Sequence, residues 1–332
     1  MAESTLTLGW SDLIAEVGDF LGYGRTSGNW ATAQTTHVES MVHSGYRLFL
    51  YHPVVPKYPA HEWSFLYPVT TLTVNAEYNT GTIAYDHTGG ANELQVTLTT
   101  GTWPSWAASG KIKISGLKYD VNTRVSDSII TLTSSSNPGA DVAASTAYTL
   151  TQEDYTLPDA FGSIMGDFTY DPNDGYASIK EIGEGAIRSK RQNDTGSTRP
   201  QYFAIRAMSS DQTAGQKFEA MFWPAPNAAY VLSYRYRAYP DKLSTSAAYH
   251  LGGSDHSECI LEACLAKCEI ALDDGFGHHF KQFMMLLEAA VERDGNRGPE
   301  NFGYNGDASD GHGRASRGAQ EARYVRYNDT IY

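Results

Sequence analysis

Residues 36–53, THVESMVHSGYRLFLYHP, constrain this chain more than any other stretch. Val38, Met41, Val42, Gly45, Leu48 and Phe49 recur at helical spacing and fall on one stripe of an α-helix. Glu39, His43 and Arg47 recur every fourth residue on another face. Pro53 has no N–H to donate and stops the helix. Burying each large side chain of such a stripe stabilises by roughly 1.5–3 kcal/mol, so the stripe demands a partner.

The best partners lie near the other end of the chain. Ile260, Leu261, Cys264, Leu265, Cys268, Ala271 and Leu272 share one helical face, with Ser254 or Asp255 as cap. Phe280, Phe283, Met284, Leu287 and Val291 share another, after a break at Gly275–Gly277. A short helix from Ser11 to Gly22, with Leu13, Val17 and Phe20 or Leu21 on its buried edge, adds a fourth member. The fold class this predicts is α+β. N- and C-terminal helices form a bundle, a large antiparallel β insertion of one or two small sandwiches or barrels interrupts it, and an extended C-terminal arm follows. The predicted bundle core is Val38, Met41, Val42, Leu48, Phe49, Ile260, Leu261, Leu265, Phe283 and Leu287. The predicted domains are 1–67, 68–240 (68–150 and 151–240), 241–295 and the arm 296–332.

The insertion is read from a change of period. After four prolines in HPVVPKYPAHEWSFLYP, the runs TTLTVNAEY, GTIAYD, ELQVTLTT, GKIKISGLKYDV and SIITLTS alternate apolar and polar residues between turn clusters. Residues 71–150 therefore read as a small antiparallel sandwich or barrel. Trp103 and Trp106 either plug its open end or stack on a sugar. Further strands follow over 155–239. In SYRYR, Tyr234 and Tyr236 either pack inward with Arg235 and Arg237 outward, or interleave with nucleic acid. The basic run IRSKRQND reads as an exposed loop, with an acidic partner or a channel lining as the functional alternative.

Composition narrows the function. A formal charge of −13 over 332 residues argues against a nucleic-acid-coating protein and leaves room for a locally basic patch. Three cysteines within ten residues make no secreted disulfide framework, and their spacing lacks the knuckles of structural zinc. No apolar run approaches the ~20 residues that span a bilayer, and MAESTLTLGW has no signal-peptide pattern, so no membrane partner is expected. The ten histidines have no ligand spacing, and neither a P-loop, G-x-S-x-G nor H-E-x-x-H occurs. No catalytic residue, metal site or cofactor is therefore predicted, and the chain is not expected to be an enzyme. In the glycine-rich last segment, Tyr324, Val325, Arg326, Tyr327, Ile331 and Tyr332 suit strand formation. They suggest an arm that orders on a neighbour by strand addition, with a simply disordered tail as the alternative.

YRLFLYHP and HEWSFLYP within residues 43–68, LTTGTWPSWAASGKIKISGLKYDVNTRVS, and YHLGGSDHSECILEACLAKCEIAL together resemble the head-to-tail connector, or neck adaptor, proteins of tailed bacteriophages. The resemblance implies a structural virion protein of the neck, made in the host cytoplasm. It implies a dodecameric ring under the portal, joining capsid to tail, with portal protein, tail or neck proteins and identical neighbouring subunits as partners. DNA would pass through the channel without specific binding, which an acidic wall suits. The other reading is a β-rich tail or fibre component whose tryptophans and tyrosines bind glycan or another virion protein.

Overall fold

A computed structural model describes residues 3–53, 61–88, 93–193, 196–208, 213, 215–273, 275–295, 326–327 and 330–331. Its helices are α1 (Trp10–Phe20), α2 (Thr32–Leu50), α3 (Glu184–Asn193), α4 (Ser257–Asp273) and α5 (His278–Gly295). The chain divides into two units. One is built from Met1–Pro68 and Arg237–Gly311, the other from Val69–Tyr236 and His312–Tyr332.

The first unit gathers α1, α2, α4 and α5 around a shared core that includes Leu13, Val17, Val38, Val42, Phe49, Ile260, Cys264, Phe283 and Leu287. Tyr46 and Leu50 are buried beside the expected stripe of α2, while Met41 and Leu48 are only partly buried at its rim. α1 begins one residue earlier than Ser11, because Trp10 is buried and stacks on His43 with ring centres 5.1 Å apart. Gly9 is its cap and donates its N–H to the Asp12 carboxylate at 2.8 Å. A 3-10 turn, Ser254–His256, leads into α4. Ile260, Leu265 and Cys268 are buried and Leu261 is partly so, but Ala271 and Leu272 are exposed on the last turn. α5 is capped from outside its own sequence. The Glu269 carboxylate on α4 accepts the N–H groups of His278 at 2.7 Å, His279 at 3.1 Å and Phe280 at 3.4 Å. A negative group suits the positive end of a helix. Desolvation raises the Glu269 pKa, but the three N–H bonds and the charge of His279 together outweigh it and lower the pKa.

The second unit has one α-helix, α3, and its other regular structure is mainly strands. β2 (Ile83–Asp86), β3 (Gln95–Leu98), β4 (Lys111–Ile114), β5 (Leu117–Arg124), β6 (Ile129–Leu132), β7 (Val142–Thr146) and β8 (Tyr148–Thr151) form one antiparallel sheet in the order β7-β2-β3-β6-β5-β4-β8. Its two edge strands are separated in sequence by Ala147 alone. A sheet whose opposite edges are consecutive pieces of one segment must curl on itself, giving a nearly closed barrel. Ile83, Val96, Ile112, Ile130 and Leu150 fill it. Beside it stand a four-stranded sheet and a three-stranded one. The first has the order β11 (Lys180–Glu181), β12 (Tyr202–Ala207), β13 (Phe218–Trp223), β9 (Asp154–Thr156); the second runs β1 (Val69–Val74), β14 (Tyr230–Ala238), β10 (Phe161–Ile164).

These sheets correct the expected fold class. Among the described residues, fourteen strands in three sheets, besides the two-stranded β15–β16 pair, accompany five helices, so the chain is a β-rich protein and not a helical bundle carrying a β insertion. Each strand of four to six residues gives a weak periodic signal, whereas two long helices give strong ones, and the sequence reading weighted them accordingly. Two smaller corrections follow from pairing. β1 is not a barrel strand, because its six residues pair with β14 in the three-stranded sheet. The run IRSKRQND is not a loop, because it forms most of α3, anchored by buried Ile187. In place of a wholly extended arm, Arg326–Tyr327 (β15) pairs antiparallel with Thr330–Ile331 (β16).

Candidate functional site

The residues singled out from the sequence separate into interior and surface. Trp103 is fully buried, edge-on to Tyr148 at 5.2 Å and near Tyr78 at 6.0 Å, so it plugs the barrel and cannot stack on a sugar. Trp106 is partly buried against the same core. In SYRYR, Tyr234 and Tyr236 point inward, Arg235 is exposed, and Arg237 pairs with Glu62 at 3.2 Å. That is an alternating strand with packing side chains inside. The three cysteines are buried and free, and burial raises the thiols of Cys259 and Cys268 to about 12. Among the described residues, no group of three or more His, Cys, Asp or Glu is placed to hold a metal. No described helix is long and apolar enough to cross a membrane.

Two buried polar centres escaped the sequence reading. Glu153, 3 % exposed, pairs with Lys118 of β5 and with Arg191 of α3, whose Nε lies 3.3 Å away. Arg191 also reaches Asp154 at 2.8 Å and the Phe222 carbonyl at 2.9 Å. This network ties the barrel, α3 and the four-stranded sheet together, and each charge is compensated as burial requires. The second centre is Asp294 of α5. It accepts the Ser64 N–H at 2.8 Å, the Ser64 hydroxyl at 2.5 Å and His61 at 3.0 Å. Burial lowers the His61 pKa, partly offset by Asp294. The sequence signal was present in HEWSF, but its partner lies 230 residues away.

On the surface of the first unit, a cleft of about 210 Å³ is lined by His43, Tyr46, Arg47, Leu50, Tyr51, Pro240, Asp241 and Lys242. It is smaller than the few hundred Å³ of an ordinary small-molecule site. Its rim of Arg47, Lys242 and half-exposed Tyr51 suits a side chain of a partner protein better than a substrate. At the turn between α4 and α5, Leu272 and Phe276 are exposed. In the second unit, β1 is the longest strand at an open sheet edge, with exposed Val69, Thr71 and Thr73. Of the six predicted arm residues, Arg326, Tyr327 and Ile331 lie in the β15–β16 hairpin, whereas Tyr324, Val325 and Tyr332 lie outside the described residues.

Surface features of this kind, a polar-rimmed cleft, exposed apolar side chains and an open strand edge, suit contacts with other proteins. The sequence makes the class specific. It matches the SU10 adaptor protein family over residues 121–302, more than half of the chain, and the chain belongs to that family. It is a phage adaptor, a structural component of the virion that works through contacts with other virion proteins. No curated protein matches the sequence.

Proposed function

We propose that this adaptor acts at the neck, as a dodecameric ring under the portal that joins capsid to tail and surrounds the path of the DNA. The observation that carries the reading is the adaptor-family match over residues 121–302. The charge of −13 supports it, because an acidic wall lets DNA pass without binding. A ring needs two different faces on each subunit, and the chain offers two units of different construction. In this reading the helical segments 1–67 and 241–295 meet the portal, the strand-rich 68–240 meets tail or neck proteins, and 296–332 holds a neighbour. The protein is made in the host cytoplasm and assembled from there.

The copy number of this chain relative to portal protein in purified particles, by quantitative mass spectrometry, tests the proposal. A ratio near one to one is expected. Absence from particles, or a large excess as in a tube, would overturn it.

A further inference from the structure

β1 lies along β14 with Val69 opposite Arg235, Thr71 opposite Ser233 and Thr73 opposite Val231. Ser233 exchanges both of its backbone bonds with Thr169, donating at 2.8 Å and accepting at 2.9 Å, and the Arg235 carbonyl accepts the Met165 N–H. Those groups therefore face away from β1. Strand residues alternate, so Leu232 and Tyr234 are the ones that bond Leu72 and Thr70. It follows that Val69, Thr71 and Thr73 aim their N–H and C=O groups outward, along an edge that pairs with no other strand among the described residues.

This edge lacks the usual protections. The other outer strands are short, four residues in β10, three in β9 and two in β11, and the barrel nearly closes on itself. β1 has six residues, VTTLTV, with no charge, proline or glycine to discourage pairing. Its composition is that of a strong strand former. The chain also carries a segment in need of a sheet. The β15–β16 hairpin has two residues per strand, and a hairpin of that size does not stand alone in water. Thirty residues separate Gly295 from Arg326, a tether of up to about 100 Å if extended.

We propose that the open edge of β1 is the docking strand for the C-terminal hairpin of a second copy of this chain. The partner strand would take its main-chain bonds from Val69, Thr71 and Thr73. Giving a hairpin at one place and receiving one at another is a heterologous contact, which propagates from subunit to subunit and makes a ring when the rotation between them closes. The inference rests on the proposed ring in requiring that copies meet, and it adds where they meet.

The test uses full-length chain. A photo-crosslinking amino acid replaces Thr71, and labelled and unlabelled copies are mixed before irradiation. Mixed-isotope crosslinks between position 71 and the peptide holding residues 326–331 are expected. In parallel, Thr71→Pro removes only an outward N–H, which an edge strand tolerates. It is expected to weaken self-association at least ten-fold in sedimentation while leaving the circular dichroism and melting temperature unchanged. Thr71→Lys, which keeps the backbone, gives the same loss by placing a charge at the edge. Crosslinks confined to one isotope, crosslinks that map elsewhere, or variants that associate like the parent would each overturn the inference. So would a chain that stays monomeric at high concentration, which leaves the neck assignment to stand or fall on the particle copy number.

Discussion

Asp294 has 3 % of its surface exposed near the C-terminal end of α5, where the helix dipole opposes a negative charge. Three hydrogen bonds from His61 and Ser64 hold it there. Replacing it with alanine removes these bonds and leaves the part-buried Ser64 N–H without its acceptor, and Asp294→Ala is expected to cost roughly 1–3 kcal/mol in urea unfolding. Asp294→Asn, which keeps two acceptor lone pairs, should cost less. His250 is 3 % exposed, bonds the Ser257 hydroxyl at 3.1 Å and feels the charge of His256, which Glu3 partly opposes. Burial and His256 push its pKa down to about 4 from 6.5. Between those values the unfolded chain binds the extra proton, so stability rises with pH. The contribution, on the order of 3 kcal/mol, is full above pH 6.5 and lost as pH falls towards 4. Urea midpoints at pH 7 and pH 5 measure it, and His250→Gln should flatten the difference.

Helices α2 and α4 meet at Gly45. A Cβ on that residue would sit 2.4 Å from Cys264 Cα and 2.6 Å from Cys264 N, both backbone atoms that cannot step aside. Alanine would gain about 1 kcal/mol of helix propensity, but forcing the helices apart costs about 1–3 kcal/mol or more. The clash wins, and Gly45→Ala is expected to lower the melting temperature and the urea midpoint. This contact also marks the limit of sequence reading. The stripe through Val38, Val42 and Phe49 was legible because several large side chains repeated every turn, and the glycine in it could be seen as a member but not as the point of closest approach. α3 was missed because only Ile187 of its ten residues is buried, so no stripe existed to read. Its stability comes from Arg191 reaching Glu153 and Asp154, ion pairs that span about forty residues of sequence. For β1 the alternation foretold a strand, but alternation says which face is buried and nothing about which strand lies alongside. Its true neighbour, β14, begins 156 residues after it ends.

At the scale of the whole molecule, the resemblance and the family match rest on different parts of the chain. The motifs YRLFLYHP and HEWSFLYP lie before residue 68, ahead of the matched span 121–302, whereas YHLGGSDHSECILEACLAKCEIAL lies within it. The adaptor assignment therefore rests on the matched span, and the motifs before it lie outside what the match covers. The strand-rich majority was under-weighted because its order is made by pairing between distant short runs. Function and stability should then separate at the C-terminus. Among the residues whose burial is described, every buried hydrophobic lies between Trp10 and Val291, and the described core clusters hold no hairpin residue. Ending the chain at Gly295 removes the hairpin strands and no described core side chain. The truncated protein is expected to melt within a few degrees of the full chain, since about 1 kcal/mol shifts the transition only slightly in a protein of this size. It should fail to assemble, because the hairpin is the segment we assign to the neighbouring copy. Calorimetry and particle yield together make the check. A truncated chain that still builds particles would remove the tail from the assembly mechanism, and one that no longer folds would show the tail to be part of the core after all.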